Sequence, residues 1–593
     1  MNTLIVVGAG AVLLLLATRF YGRWIGRVFD LQEGRTTPAE AAADGRDFVA
    51  SPRQVVFAHH FASIAGAGPI VGPIIALAFG WGPAWLWIVI GGIFFGAVHD
   101  MTALCVSLRE GGRTIAEVAR RTLGRGGFLL LVTFLIIVLS LVNAIFLNLS
   151  AKSLTTVLPV ATLGVDAADT VLKTVETDAG AGDGTTVTSV LIGGIATTSV
   201  FVMTLLAPLL GWLIVRGRLR GPAALLSATA ICTVAVIIGF MLPIRLDPDP
   251  AVAANHWRWM LSAYVFVGCW VPVWLILQPR DFCNVQILYA GIALLVVGMI
   301  VGGLQGESLE MERANTIADG ATRLGPVWPG LMITIACGAI SGFHCLVASG
   351  TTVKQIRCET DCRRIGYGAM MLESLLALLV LVTVASRLTG AEYQTLMMPE
   401  GAAGNPIITF ALAAGRSFAG LGIPVDVGTV LGILIIEGFL VTTLDTAVRL
   451  GRYLFEELWG GLFGDRTPRL LRNTLFNTAL AVALMLLIAF SSVYDAVWQI
   501  FGAGNQLIGA MALTTVSVYL IQHHRAWLFA AVPAAIMTVT TITALVQRTR
   551  SELAGENLVM AVTAALLTGL AVAFVGIALV RVRAAIRAAA PTT

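Results

Sequence analysis

Charge is what this chain has least of. Only 12% of its 593 residues are Asp, Glu, Lys or Arg, whereas 57% are hydrophobic. A soluble domain carries about a quarter charged residues. Such a composition excludes a soluble globular protein and points to a chain folded within a bilayer. Nucleotide machinery is missing too: no GxxxxGK[ST] run occurs, which disfavours a primary pump built from this chain alone. The seven histidines include no HExxH pair. Cys358 and Cys362, in CETDC, lack zinc-ligand spacing and a second ligand pair. The other six cysteines (Cys105, Cys232, Cys269, Cys283, Cys337, Cys345) lie in apolar segments, as small buried side chains do. The expectation is therefore no enzyme, no metal and no cofactor. A net charge of +4 gives no reason to expect a nucleic-acid partner.

What is present is a succession of membrane-length apolar runs, which predicts an all-α polytopic protein with about 15 transmembrane helices. They fall near 3–20, 54–80, 83–107, 127–159, 189–215, 222–243, 257–279 and 283–303 in the first part of the chain. The rest lie near 328–350, 364–388, 425–447, 473–491, 495–521, 527–546 and 558–581. Segments 114–125 and 449–460 read as amphipathic helices at the surface, and 160–188 as a loosely packed polar external loop. The opening MNTLIVVGAGAVLLLL has neither an early basic region nor a small-residue cleavage site, so it reads as a retained first span. Polar gaps are too short to bury a core of their own, leaving one membrane domain over 1–593.

Loop charge tests that count. With the N-terminus outside, the loops assigned to the cytoplasm hold 28 of the 38 Lys and Arg, as the positive-inside rule requires. The external loops take most of the acidic stretches, including 166–183 and 307–319. The predicted topology is N-terminus out, C-terminus in.

The most informative segment is 57–80, FAHHFASIAGAGPIVGPIIALAFG, where paired histidines precede Gly66, Gly68, Pro69, Gly72 and Pro73. Hydrocarbon tolerates an interrupted helix only where it lines a cavity, and in transporters such breaks hold the substrate. Gly66, Gly68 and Gly72 are accordingly candidate substrate-binding positions. A second break is expected either at 257–279, which a five-span repeat would select, or at 328–350, where CGAISGFHCLVASGTT places Ser341 and Gly342 as further candidates.

Ionisable groups inside spans are costly and so mark function. His59 and His60 share a depth with His99 and Asp100 on the neighbouring span, at roughly 8–10 Å from the cytoplasmic end at 1.5 Å per residue. A histidine beside a carboxylate is a natural proton carrier; the alternative is a structural His–Asp bond tying two helices. Glu373 and Glu437 fall mid-span, where a lone carboxyl suits reversible protonation or bonds a helix backbone. The proton-coupling candidates are thus His59, His60, Asp100, Glu373 and Glu437. Asp445 and Arg449, four apart, read as a local salt bridge, and Arg280–Asp281 as the cap of a span. Asn505 and Gln506 either line the pathway or bond between helices.

FAHHFASIAGAGPIVGP, GAVHDM, QPRDF, ACGAISGFHCLVASGTT and IGYGAMMLES occur in that order and closely resemble the carbon starvation protein A family. The likeness spans 53–110 and 257–375 and continues more weakly to about 520. A family core of about 20–520 is then followed by C-terminal spans at about 527–581. The resemblance implies an inner-membrane importer of pyruvate or small peptides, proton-driven and made when carbon is scarce, with the inverted-repeat core of the amino acid-polyamine-organocation superfamily. It assigns importance to His59, His60, residues 66–73, Asp100, residues 338–344 and Glu373. The chain departs from the family at Cys345, Cys358 and Cys362 and around TTLDTAVR. The partners implied are a small carboxylate-bearing nutrient, a proton and the lipid bilayer. Sodium coupling, a nutrient sensor, and a metal or haem protein liganded by histidines remain the alternatives.

Overall fold

Apolar segments become helices here because each backbone N–H and C=O in hydrocarbon must be satisfied within its own element. The computed structural model describes residues 1–178, 186–311, 316–399, 404–491, 494–555 and 557–589. Its long helices are α1 (Thr3–Val28), α2 (Arg53–Ala65), α3 (Gly68–Ala76), α4 (Trp81–Arg109), α5 (Arg125–Leu154), α6 (Ile192–Val215), α7 (Pro222–Met241), α8 (Pro250–Trp270) and α9 (Leu277–Leu304). They continue with α10 (Val327–Thr334), α11 (Gly342–Gly350), α12 (Arg363–Arg387), α13 (Pro406–Ala419), α14 (Val425–Phe463), α15 (Thr474–Ala489), α16 (Tyr494–Gln522), α17 (Leu528–Ala554) and α18 (Leu558–Ala589).

Among the described residues, twelve helices are long and apolar enough to cross a membrane, counting the interrupted Arg53–Phe79 as one. The fifteen expected segments all fall on helices; the three outside the twelve are α8, the 16-residue α15 and the pair α10/α11. The all-α polytopic fold class is borne out.

Two shells form. The spans Arg53–Phe79, Trp81–Arg109, Val425–Arg466 and Ile500–Gln522 are 89–94% buried, whereas α1, α6, α7 and α18 are 28–33% buried. The outer helices leave large apolar side chains such as Leu15, Leu226 and Leu579 exposed. Contiguous apolar surface on that scale suits lipid contact.

Both breaks sit in the inner shell. The chain leaves α2 at Gly66, whose φ of +48° is a left-handed conformation that glycine adopts freely, and resumes as α3. The second break runs through 335–341 between α10 and α11, so it lies in 328–350 and not in 257–279. In the latter segment Pro272 occupies the turn between α8 and α9 and marks a helix end. α2 packs on α11 and α3 on α10, so the two interrupted helices run antiparallel with their breaks apposed. The approach is tight: a Cβ at Gly68 would overlap the Cys337 side chain, and one at Gly72 would lie 2.8 Å from the Thr334 carbonyl oxygen.

Two expectations change and a third holds. The 160–188 loop carries an antiparallel sheet, β1 (Leu158–Pro159), β2 (Thr174–Asp178) and β3 (Thr186–Val190) in the order β1–β3–β2. Ser189 faces both Pro159 and Val175 across it; residues 179–185 lie outside the described residues. Segment 449–460 is no surface helix but the continuation of α14, with Arg449 and Arg452 fully buried. The other amphipathic segment forms a helix over Ile115–Thr122, with Ile115, Ala116, Val118 and Ala119 turned inward.

Candidate functional site

At the first break the left-handed kink at Gly66 takes the chain out of helical geometry for one residue. The Ser63 carbonyl, which loses its helical partner there, accepts from Thr443 Oγ1 at 3.1 Å, and Ser63 Oγ meets Thr446 Oγ1 at 3.0 Å. The backbone N–H groups of Gly66 and Ala67 find no partner among the described residues. A buried N–H without a partner is rare, and these two open the N-terminal end of α3, where the helix dipole favours negative charge.

The second break is pinned by its neighbours. Asn505 Oδ1 accepts from the Phe343 N–H at 2.8 Å, and Asn505 Nδ2 donates to Ser341 Oγ at 2.9 Å. Gln506 Nε2 donates to the Met332 and Ile335 carbonyls at 2.5 and 3.4 Å, and Ser374 Oγ to Gly338 O at 3.0 Å. Asn505 and Gln506 are therefore bonds between helices. Ser341 is engaged in the cap, and Gly342 is pressed against the backbone of Asn505 and Gly509.

Around the second break lies a buried chain of titratable groups. Asp100 on α4 bonds His99 Nδ1 at 2.8 Å and His344 Nδ1, on α11, at 2.9 Å. His344 Nε2 faces Glu373 of α12 at 3.5 Å. All four are buried, and both Glu373 oxygens lack a hydrogen-bond partner. As a carboxylate Asp100 only accepts, so it favours protons on the two Nδ1 atoms and leaves His344 Nε2 facing Glu373, a geometry suited to sharing a proton. Cys337 Sγ completes a trio with His344 and Glu373 whose donor atoms lie within 4.8 Å of one another, a set of types that could also hold a borderline divalent cation.

A second buried network spans α2, α8, α9 and α14. His59 Nδ1 bonds Asp281 Oδ2 at 2.7 Å, and Arg280 Nη2 reaches Asp281 Oδ1 at 3.1 Å and Thr442 Oγ1 at 3.0 Å. Arg280 also pairs with Asp445 and bonds the Tyr264 hydroxyl at 2.6 Å, which in turn donates to Asp445 at 2.8 Å. Arg280 and Asp281 are thus buried network members and no span cap. Asp445 makes no ion pair with Arg449, because the guanidinium of Arg280 occupies it. Arg449 turns instead to Asp47 at 2.8 Å and to the Gly268 and Val271 carbonyls, both at 2.7 Å. The signal was present in the sequence: a charged pair inside an apolar run at membrane depth marks function by default.

The predicted pairing of His59 and His60 with His99 and Asp100 does not form directly. His59 bonds Asp281, and His60 Nδ1 bonds Thr352 Oγ1 at 2.8 Å, standing between the two networks within electrostatic range of Asp100 and His344. Glu437 stands apart from both hydrogen-bonded chains, buried beside Ser153 with neither oxygen bonded.

Outside the spans, Asp47 sits in the loop that precedes α2. Burial pushes its carboxyl up, but Arg452, Arg449 and Lys354 together outweigh that and hold it down at about 2. The same loop donates Val49 N–H to Lys354 O and Ser51 N–H to Gln355 O, both at 3.0 Å, and so stitches the entry of α2 to the exit of α11.

The family model for carbon starvation protein CstA matches residues 2–411 and 400–544. The chain is 31% identical to the peptide transporter CstA of Escherichia coli, across 92% of this chain and 80% of that protein. It is 30% identical to the pyruvate/proton symporter BtsT of the same organism, across 92% and 81%. With the peptide transporter CstA of Bacillus subtilis it shares 29% identity, across 91% and 89%. Among solved structures, a manganese transporter of Eremococcus coleocola superposes with a TM-score of 0.44 at 11% identity, over 92% of this chain and 99% of that one.

Proposed function

The chain belongs to the carbon starvation protein CstA family and is a multi-pass membrane transporter rather than an enzyme, and from that premise we propose that it imports pyruvate or small peptides by proton symport. The observation that carries the coupling is the Asp100–His344–Glu373 chain. Three helices, one of them half of a broken pair, converge on a path of proton-exchanging groups sealed from solvent. His99 anchors that path, and His60 lies between it and the His59 network. The substrate carboxylate enters at the first break, where Gly66 and Ala67 present free N–H groups and Gly68 and Gly72 keep the backbone accessible.

The antiparallel apposition of the two breaks supports an inverted-repeat core. Concentration of Lys and Arg in alternate loops supports an N-terminus outside and a C-terminus in the cytoplasm of a cell inner membrane. The whole chain acts as one transporter domain.

Uptake of labelled pyruvate and of labelled dialanine into proteoliposomes with an inward proton gradient tests this reading. Accumulation of one substrate, abolished by a protonophore, is expected, and Glu373→Gln should lower gradient-driven accumulation at least tenfold. Uptake that ignores the proton gradient and follows sodium overturns proton coupling. No uptake under any gradient overturns transport of these substrates.

A further inference from the structure

The His59–Asp281–Arg280–Asp445 network is larger than helix packing requires. Burying a guanidinium and two carboxylates costs several kcal/mol per ion before their attraction is counted. Yet the network leaves polar atoms unused: Asp445 Oδ1 and His59 Nε2 are buried without a hydrogen-bond partner. It also adjoins the substrate break. Thr442 bonds Arg280, while the next residue, Thr443, bonds the Ser63 carbonyl and lies 3.2 Å from where a Gly66 Cβ would stand. One turn of α14 therefore holds the guanidinium on one side and the kink on the other.

Resting on the import of a carboxylate-bearing substrate proposed above, we propose that Arg280 is the receptor for that carboxylate and that Asp445 occupies it when the substrate is absent. Arg280 presents a planar fork matched to a carboxylate, and Asp445 already fills part of it. A substrate carboxylate can take that place only if Asp445 yields, and a proton arriving on Asp445 Oδ1 removes the competing charge. The charge balance sets the stoichiometry. One carboxylate added and one proton added leave the network's net charge unchanged, so the low-dielectric site admits the anion without an uncompensated charge. Release of the proton restores the Arg280–Asp445 pair and expels the substrate.

Several groups face this exchange. Tyr264 and Cys269 approach Asp445 from α8, Arg280 and Asp281 from α9, and Arg449 from its own helix. His59 acts from α2 through Asp281, and Glu437 lies on α14 within electrostatic range of Arg280. Of the carboxylates, Asp445 alone both pairs with Arg280 and keeps a free oxygen beside it, which singles it out as the exchanging group.

The test compares wild type, Asp445→Asn and Arg280→Gln/Asp445→Asn, the last removing both charges of that pair together and leaving Asp281 its bond to His59. Binding of pyruvate and dialanine to purified protein in nanodiscs is measured against pH, beside uptake in proteoliposomes. Expected for Asp445→Asn is binding retained with its pH dependence flattened, exchange of labelled for unlabelled substrate retained, and gradient-driven accumulation lost at least tenfold. The double variant should lose carboxylate binding at least a hundredfold while keeping its elution profile. Wild-type affinity in the double variant overturns Arg280 as receptor and leaves the transporter reading standing. Full gradient-driven accumulation by Asp445→Asn overturns the exchange. Wild type that moves neither substrate overturns the parent reading and this inference together.

Discussion

The two helix breaks are rich in the same residues and are used differently. The first leaves the Gly66 and Ala67 N–H groups open and spends a single side chain, Thr443, on the Ser63 carbonyl. The second is pinned by side chains, although the Ala336 to Ala339 N–H groups likewise find no partner among the described residues: Asn505 takes the Phe343 N–H, Gln506 the Met332 and Ile335 carbonyls, and Ser374 the Gly338 carbonyl. A break held by three neighbouring side chains is a structural joint that can aim His344 at Glu373. A break whose next helix opens on donors that no side chain caps, as α3 does, is a place for an anion. Glycine content does not separate the two cases; the partners opposite each break do.

Variants can break or sharpen that contrast. The largest effect is expected at Gly68, where any side chain collides with Cys337 across the apposed breaks. Gly68→Val should separate the two helices, abolish uptake and lower the yield of folded protein, overpacking costing about 1–3 kcal/mol or more. Wild-type uptake by Gly68→Val would mean that the breaks need not touch. Next is Asn505→Ala, which strands the Phe343 N–H and Ser341 hydroxyl. It should lower stability by about 1–3 kcal/mol, read as a drop in Tm, whereas Thr443→Val at the first break should lower substrate affinity more than Tm. Equal Tm losses at the two sites would erase the distinction.

The smallest effect belongs to the loop that joins the two broken helices. Asp47 has a folded-state value near 2, below its ordinary 3.8, so its contribution is present above pH about 4 and is lost as pH falls towards 2. The shift corresponds to about 2 kcal/mol. Asp47→Asn should lower Tm near neutral pH by that order and flatten the acid dependence of melting between pH 4 and 2. An unchanged acid limb would remove Asp47 from the clasp.

Much of the site was legible because hydrocarbon makes polar residues conspicuous. Asp100 and Glu373 stood out as lone acids in apolar runs, and both lie in one buried chain. His344 was visible within a broken segment without a role. The partners were not legible. His59 and His60 share a depth with Asp100, but depth leaves azimuth undetermined, and rotation about α2 turns His59 to Asp281 and His60 to Thr352. Arg449 was matched to Asp445 by i,i+4 spacing, a pairing worth a few tenths of a kcal/mol on an exposed helix. Arg280 in the core and Asp47 in its loop offered the two residues other partners and overrode it. The 449–460 segment misled for a related reason: its arginines look solvated until Asp47 is seen folding back onto them.

What the sequence by itself determined is the class of solution. A chain 57% hydrophobic and 12% charged, with apolar runs of about twenty residues, satisfies its backbone in a bilayer as helices, and Gly–Pro runs interrupt them where they occur. Its ordered motifs also determined the family. Tertiary structure alone decided that the second break falls at 335–341, that Asn505 and Gln506 pin it, and that Arg280 meets Asp445 across 165 residues of chain. Those outcomes depend on helix rotation and apposition, which minimise stranded charge and unpaired polar groups over the whole bundle. No local window of sequence contains that sum.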